Sequence, residues 1–175
     1  MHTSIKGHLY EFHLNSKQIK NKVIQFHVVN ADDNEMIELI SDWYLREWNI
    51  PKITTIQKIR SFADDRFQFQ VLMTIDNIPV STGGLYNHVA LLDKEPRFNI
   101  YKNWLALVYT IPEKRHQGFG ALICNYIQEH AKELDIKEMY LFTDTAERLY
   151  TRLGWNKSEQ ITLGKRNITV MKKQL

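Results

Sequence analysis

One cysteine, Cys124, stands in a chain of 175 residues, so no internal disulfide can form. That scarcity suits a reducing compartment, and a cytoplasmic location is the expectation. No stretch approaches the ~18 uncharged apolar residues that a membrane-spanning helix needs, so no membrane partner is expected. The first residues, "MHTSIKGHLYEFHLNSKQIKNK", lack an apolar centre and a small-residue cleavage site, which argues against a secretory signal. There is no long run of Lys and Arg either: the net charge is +3 and the pI about 8.9. "MKKQL" at the C-terminus reads as a solvated tail, and without a basic stripe or reading motif nucleic acid is not an expected partner. Internal repeats and low-complexity linkers are absent.

What is present is ordinary for a folded domain: 43% hydrophobic and 25% charged residues. The length suits one core. Residues 1–22 show no clear period and read as an N-terminal extension, with one added strand as an option, ahead of a single domain over 23–175. "VIQFHVV" (23–29) is rich in β-branched and aromatic residues and predicts a strand. In the next stretch Met36, Ile37, Ile40, Trp43, Tyr44 and Trp48 recur at helical spacing, with Asn30, Asp32 or Asp33 as cap and Pro51 as stop. A second helix follows, opened by Thr54 or Thr55, with Ile56, Ile59, Phe62 and Ala63 on one face.

"FQFQVLMTI" alternates, placing Phe67, Phe69, Val71, Met73 and Ile75 on one side. Asp76-Asn77 then signals a turn into a return strand, "IPVSTGGLYNH". Residues 89–101, with Pro96, read as a long loop. "NWLALVYTI" (103–111) is nearly all apolar, as in a strand buried on both faces. Beyond "PEKRHQGFG", the residues Phe119, Leu122, Ile123, Tyr126, Ile127, Ala131 and Leu134 form a helical stripe. "EMYLFT" (138–143) is a strand. A short helix follows, with Ala146, Leu149, Tyr150 and Leu153 inward and Gly154 at its stop. Two last strands, near 155–163 and 166–172, turn at Gly164-Lys165 and are candidates for pairing across a homodimer. The strand–helix–strand unit over 103–143 predicts one parallel pair, and the flanking hairpins are antiparallel. The fold class is therefore α/β with a mixed, mainly antiparallel sheet around a central parallel βαβ unit.

The loop "RHQGFG" joins the buried strand to the longest helix. First-turn amides of a helix have no internal acceptor, and the helix dipole favours an anion there. Gly118 and Gly120 let an anion approach those amides. Arg115 can pair with a phosphate through two parallel bonds, and His116 and Gln117 add donors. A pyrophosphate fits this chemistry, and a bare structural turn is the plain alternative. Two nucleotide motifs fail on spacing. No Lys-Ser/Thr pair follows the glycines, as a P-loop requires, and "GFGALI" lacks the third glycine of a dinucleotide fingerprint.

Two stretches together, "LALVYTIPEKRHQGFGALICNYIQEHA" and "YLFTDTAERLYTRLGW", resemble the GNAT family of N-acetyltransferases. Arg115, Gly118 and Gly120 fill the family's Gln/Arg-x-x-Gly-x-Gly/Ala motif. Ala146, Tyr150, Gly154 and Trp155 fill its Ala-x-x-x-Tyr-x-x-x-Gly-aromatic pattern. The order of elements over about 23–172 agrees. The resemblance implies the acyl-CoA N-acyltransferase fold, acetyl-CoA as donor substrate, and no metal. It implies that the backbone of Val108, Tyr109 and Thr110 meets the pantetheine arm on a bulged strand. The amides of Gln117, Gly118, Phe119, Gly120 and Ala121, with Arg115 and His116, would take the pyrophosphate. Tyr150 takes the place of the general acid, although spacing alone favours a core tyrosine beside Leu149 and Leu153. Thr143 stands where the family often has Asn, which leaves a single hydrogen-bond donor.

The base is open. "NWLALVYT" carries no acid where many members of the family have Glu, so His88, Asp93, Glu95 and ordered water remain as candidates. The first helix holds Asp32, Asp33, Glu35, Glu38, Asp42 and Glu47 against Arg46 alone, which forms either an acidic wall for a cationic amine or a solvated face. Trp43, Trp48 and Trp104 are candidates for an apolar acceptor pocket or for the core. Cys124 reads as packing. The resemblance thus implies acetyl transfer to a primary amine, of a small molecule or a peptide N-terminus, by direct attack in a ternary complex. A non-catalytic acyl-CoA sensor or an interaction domain is the alternative.

Overall fold

The computed structural model describes residues 22–175. The extension expected over 1–22, and any strand within it, falls almost wholly outside the described residues. Seven strands form one sheet in the order β1-β2-β3-β4-β5-β7-β6. They are β1 (Ile24–Val28), β2 (Phe69–Ile75), β3 (Ile78–Tyr86), β4 (Trp104–Thr110), β5 (Glu138–Thr143), β6 (Asn156–Leu163) and β7 (Arg166–Gln174). Only β4 and β5 run parallel; the other neighbours are antiparallel. The mixed, mainly antiparallel sheet with a central parallel pair therefore stands as expected.

Five helices accompany it: α1 (Asn34–Trp48), α2 (Lys52–Arg60), α3 (Ala90–Lys94), α4 (Phe119–Glu133) and α5 (Glu147–Arg152). α2 begins directly after Pro51 rather than at Thr54 or Thr55, because the single Pro51 carbonyl accepts from both the Thr54 and the Thr55 amide. Asp33 precedes α1, but its carboxylate accepts from the Asn30 amide instead of capping the helix. Residues 89–101, expected as an irregular loop, contain α3 and a 3-10 turn, Pro96–Ile100. Leu91, Leu92 and Phe98 bury themselves there. Segments of five residues are too short to show a helical period.

The stripe on α4 packs against one face of the sheet. Phe119, Leu122, Ile123, Ile127 and Ala131 meet Phe69, Val71, Met73 and Ile75 of β2, as the alternation predicts. Phe67 lies before the strand and is exposed. On the opposite face Ile37, Ile40, Trp43 and Tyr44 of α1 cover Leu72 and Tyr109. A third cluster joins Tyr86, Leu91, Leu92, Phe98, Trp104 and Tyr140, so Trp104 belongs to the core. The tight β2–β3 turn forms because Asp76 and Asn77, at φ 51° and 64°, tolerate the left-handed region that this hairpin requires.

β4 is irregular at its centre. Thr82 pairs with Tyr109 and Gly84 with Ala106, which leaves Gly83 opposite both Leu107 and Val108. Leu107 takes φ 52°, a conformation that costs a non-glycine residue about 1–3 kcal/mol. This is a β-bulge. Gly84 beside it has no space for a side chain: a Cβ there would lie 2.5 Å from the Phe69 carbonyl oxygen and 2.7 Å from Gln70 Oε1. Gly84→Ala should therefore lower stability by about 1–3 kcal/mol in urea or thermal denaturation, whereas Gly118→Ala, at a position with open space but positive φ, should cost about 1 kcal/mol.

Candidate active site

The parallel pair places the site. β4 and β5 register at Trp104 and Tyr140, with the Tyr140 amide donating to the Asn103 carbonyl. Beyond that point β5 continues pairing with β7 through Thr143, and β4 pairs with β3. Among the described residues the β5-facing edge of Ala106–Thr110 meets no partner strand. The Val108 amide and carbonyl and the Thr110 amide are thus available for an extended chain that carries amides of its own, while the Thr110 carbonyl already accepts from Arg115.

The glycine loop follows β4 through a short 3-10 turn, Pro112–Lys114. His116 at φ 62° and Gly118 at φ 90° reverse the chain, and Gly118 is the N-terminal boundary of α4. The Ala121 and Leu122 amides both donate to the Gly118 carbonyl. Those of Phe119 and Gly120, at the very start of the helix, have no upstream carbonyl to reach. A Cβ on Gly118 would meet nothing within 4 Å, and one on Gly120 only Thr110 Oγ1 at 3.7 Å. A side chain at either glycine would thus enter open space.

The charged side chain is placed differently from the simple phosphate clamp. Arg115 Nε donates to the Thr110 carbonyl at 2.9 Å, and Nη2 meets Glu47 Oε2 of α1 at 2.8 Å. Glu47 accordingly raises the Arg115 pKa further. Gln117 also turns back, donating to the Glu113 carbonyl. The acidic face of α1 is partly compensated: Lys52 bridges Glu38 and Asp42 at 2.7 and 3.1 Å. Trp48 is 40% exposed beside Tyr109, while Trp43 is buried against the same ring.

Tyr150 sits on α5, in the cluster that also takes Cys124, Leu105 and, at its margin, Val108. Its ring is 9% exposed and packs edge-on to Trp155. Its hydroxyl has no hydrogen-bond partner among the described residues. Burial pushes its pKa well above the usual phenol range, and Cys124 adds to that. The phenol keeps its proton at neutral pH. Thr143 at the end of β5 receives the Ala146 amide on its oxygen at 2.9 Å and so shapes the entry to α5; its hydroxyl proton is left for another acceptor.

The candidate side chains for the base each have a partner. His88 Nε2 lies 3.1 Å from Asp93 Oδ1, both exposed, and Glu95 pairs with Arg97. No group of three or more metal-ligating side chains occurs among the described residues.

Residues that sequence reasoning passed over hold the bulge. The Tyr44 hydroxyl donates to the Leu107 carbonyl at 2.9 Å. Gln70 Nε2 donates to Tyr44 at 2.8 Å and to Thr82 Oγ1 at 2.6 Å, and Tyr86 donates to Gln70 Oε1 at 2.7 Å. The visible signal was Gly83-Gly84 inside a strand, which marks a bulge or a close approach.

Residues 34–155 match the Acetyltransferase (GNAT) family, and the chain belongs to that family. Solved structures carry the same fold. The Salmonella typhimurium protein yncA, solved with its cofactor acetyl-CoA, is 12% identical, with TM-score 0.64 over 86% of this chain and 93% of that one. The aminoglycoside 6'-N-acetyltransferase from Enterococcus faecium is 12% identical, with TM-score 0.66 over 85% of this chain and 96% of that one. A Bacillus halodurans protein of unassigned function is 17% identical, with TM-score 0.61 over 90% and 86%.

Cys124 is fully buried, and burial pushes its thiol up to about 12. The reactive thiolate is therefore suppressed in the native state. At pH 8 a chromogenic disulfide reagent should leave Cys124 unmodified in the folded protein and titrate it promptly in denaturant.

Proposed function

We propose that this acetyltransferase moves the acetyl group of acetyl-CoA to a primary amine, of a small molecule or a peptide N-terminus, by direct attack in a ternary complex. The observation that carries the proposal is the conjunction at one end of the parallel pair: an unpaired, bulged β4 edge, a start of α4 at Gly118 and Gly120 with no side chain in the way, and the unpartnered hydroxyl of Tyr150. The edge at Val108, Tyr109 and Thr110 suits the amides of a pantetheine arm, and the amides from Gln117 to Ala121 suit a pyrophosphate.

Arg115 contributes to the phosphate site only by loosening from Glu47. That pair is about one-third exposed on each side, and exposed pairs are worth about 0–1 kcal/mol. A doubly charged phosphate group can compete for it.

In the reaction the amine lone pair forms a bond to the thioester carbon, and collapse of the adduct breaks the carbon–sulfur bond. The electron pair leaves on the CoA sulfur. A phenol that holds its proton tightly, as Tyr150 does, acts first as a hydrogen-bond donor to that developing thiolate. The acceptor must arrive neutral or lose a proton. His88, Asp93, Glu95 and ordered water stay as routes for it, and β4 offers no acid.

Tyr150→Phe should lower kcat about tenfold or more while leaving the KM for acetyl-CoA nearly unchanged, measured as acceptor-dependent release of free CoA thiol over a panel of amines. Unchanged turnover would remove Tyr150 from the chemistry. Stabilisation by CoA with no acceptor-dependent thiol release across the panel would instead favour a sensor. Gly120→Val should keep the melting temperature of the free protein within a few degrees, because its Cβ has room. It should raise the KM for acetyl-CoA about tenfold or more by filling the space over the amides.

A further inference from the structure

The bulge in β4 needs an explanation, because nothing in Leu107 itself favours a left-handed backbone. Leucine pays the full steric penalty for φ 52°. Such a conformation persists only where the surroundings over-determine it.

The surroundings here are specific. Tyr44 is fully buried on α1, 63 residues from its partner, and its hydroxyl is aimed at the Leu107 carbonyl. The carbonyl can only accept, so the Tyr44 proton points at the bulge. The oxygen of Tyr44 then accepts from Gln70 Nε2. Gln70 is fully buried too, its second amide proton goes to Thr82, and its own oxygen accepts from Tyr86. Thr82 in turn donates to the Val71 carbonyl at 2.7 Å. Every donor in the network is used, which fixes its polarity: Tyr86 to Gln70, Gln70 to Tyr44, Tyr44 to Leu107. Turning the Gln70 amide around would set its oxygen against the Tyr44 and Thr82 oxygens, whose protons are committed to carbonyls, leaving buried acceptors facing acceptors. The single backbone group at the receiving end is the carbonyl of the bulge.

We infer that Tyr44 is a positioning residue for donor binding: by holding the Leu107 carbonyl it fixes the bulge that sets the Val108–Thr110 edge for the pantetheine arm. This rests on the proposed function, in which that edge is where acetyl-CoA lies. Burial raises the pKa of Tyr44 well above the usual phenol range, so the donor persists at every working pH. The network has no acceptor free to take a proton onward, and its role is to hold rather than to relay.

Two ligands separate this role from general stability: CoA itself, and the adenosine bisphosphate fragment of CoA, which lacks the pantetheine arm. By calorimetric titration, Tyr44→Phe should weaken CoA about three- to tenfold, the worth of one hydrogen bond, and leave the fragment's affinity unchanged. Tyr86→Phe is the matched control. It deletes a buried hydrogen bond two links further from the bulge, so the melting temperature should fall comparably while both affinities hold. Leu107→Gly in the Tyr44→Phe background should recover CoA binding, because glycine adopts the left-handed backbone without help. Equal weakening of CoA and fragment by Tyr44→Phe, unchanged CoA binding, equal CoA weakening by Tyr86→Phe, or no recovery with glycine would each overturn the inference alone. Wild-type protein that binds no CoA would overturn the proposed function along with it.

Discussion

The parting of β4 from β5 beyond Trp104 is the constraint on which the rest of the site depends. A strand inside a sheet normally satisfies its backbone on both edges, and an unsatisfied buried amide or carbonyl costs about 1–3 kcal/mol. Here the two central strands share a single register pair. The bulge bends β4 away just where β5 would otherwise continue the ladder. The fold tolerates this because the bulged strand is held from its other side. Ser81 donates to the Tyr109 carbonyl and Tyr44 to the Leu107 carbonyl, so the open edge is stiff although it is unpaired. A stiff edge can receive an extended ligand without first paying to order itself.

The start of α4 is fixed by the same logic from a different direction. Ile123, Cys124, Ile127 and Ala131 are wholly buried against the sheet, which anchors the helix axis. With Arg115 engaged by Glu47, an anion bound as proposed would rely on backbone dipoles first and on a side-chain charge second. Glu47 lies on α1, close to Tyr44, so one helix touches both the bulge and the charged residue of the loop.

The elements with strong periods were legible in the sequence: the alternation from Phe69 to Ile75, the stripe from Phe119 to Ala131, and the parallel unit between them. Residues 89–101 were not, since five-residue helical segments leave no period to detect. The two motifs of the glycine loop and Tyr150 could be found because they are contiguous. The clamp on the bulge could not, because Tyr44, Gln70, Tyr86 and Leu107 come from four separate elements. A buried tyrosine on a helix and a glutamine in a strand look ordinary until the partner 63 positions away is known. Gly83-Gly84 did announce a close approach but not what approached. The direction of the Arg115 side chain was equally beyond reach, as it depends on where α1 ends. The acceptor base has no local signal at all: its identity is a relation between a side chain and a ligand.

Topology explains why separated motifs converge. β4 and β5 are parallel, so their C-terminal ends lie on the same side of the sheet. The chain leaves β4 into α4 and leaves β5 into α5. Both helix starts, the loop at Gly118 and the segment around Ala146 that leads to Tyr150, are delivered to one place by a single βαβ crossover. An antiparallel pair at this position would have sent them to opposite ends. The one parallel pairing among the described strands is therefore what puts the open edge, the start of α4 and the segment that leads to Tyr150 at the same end of the sheet.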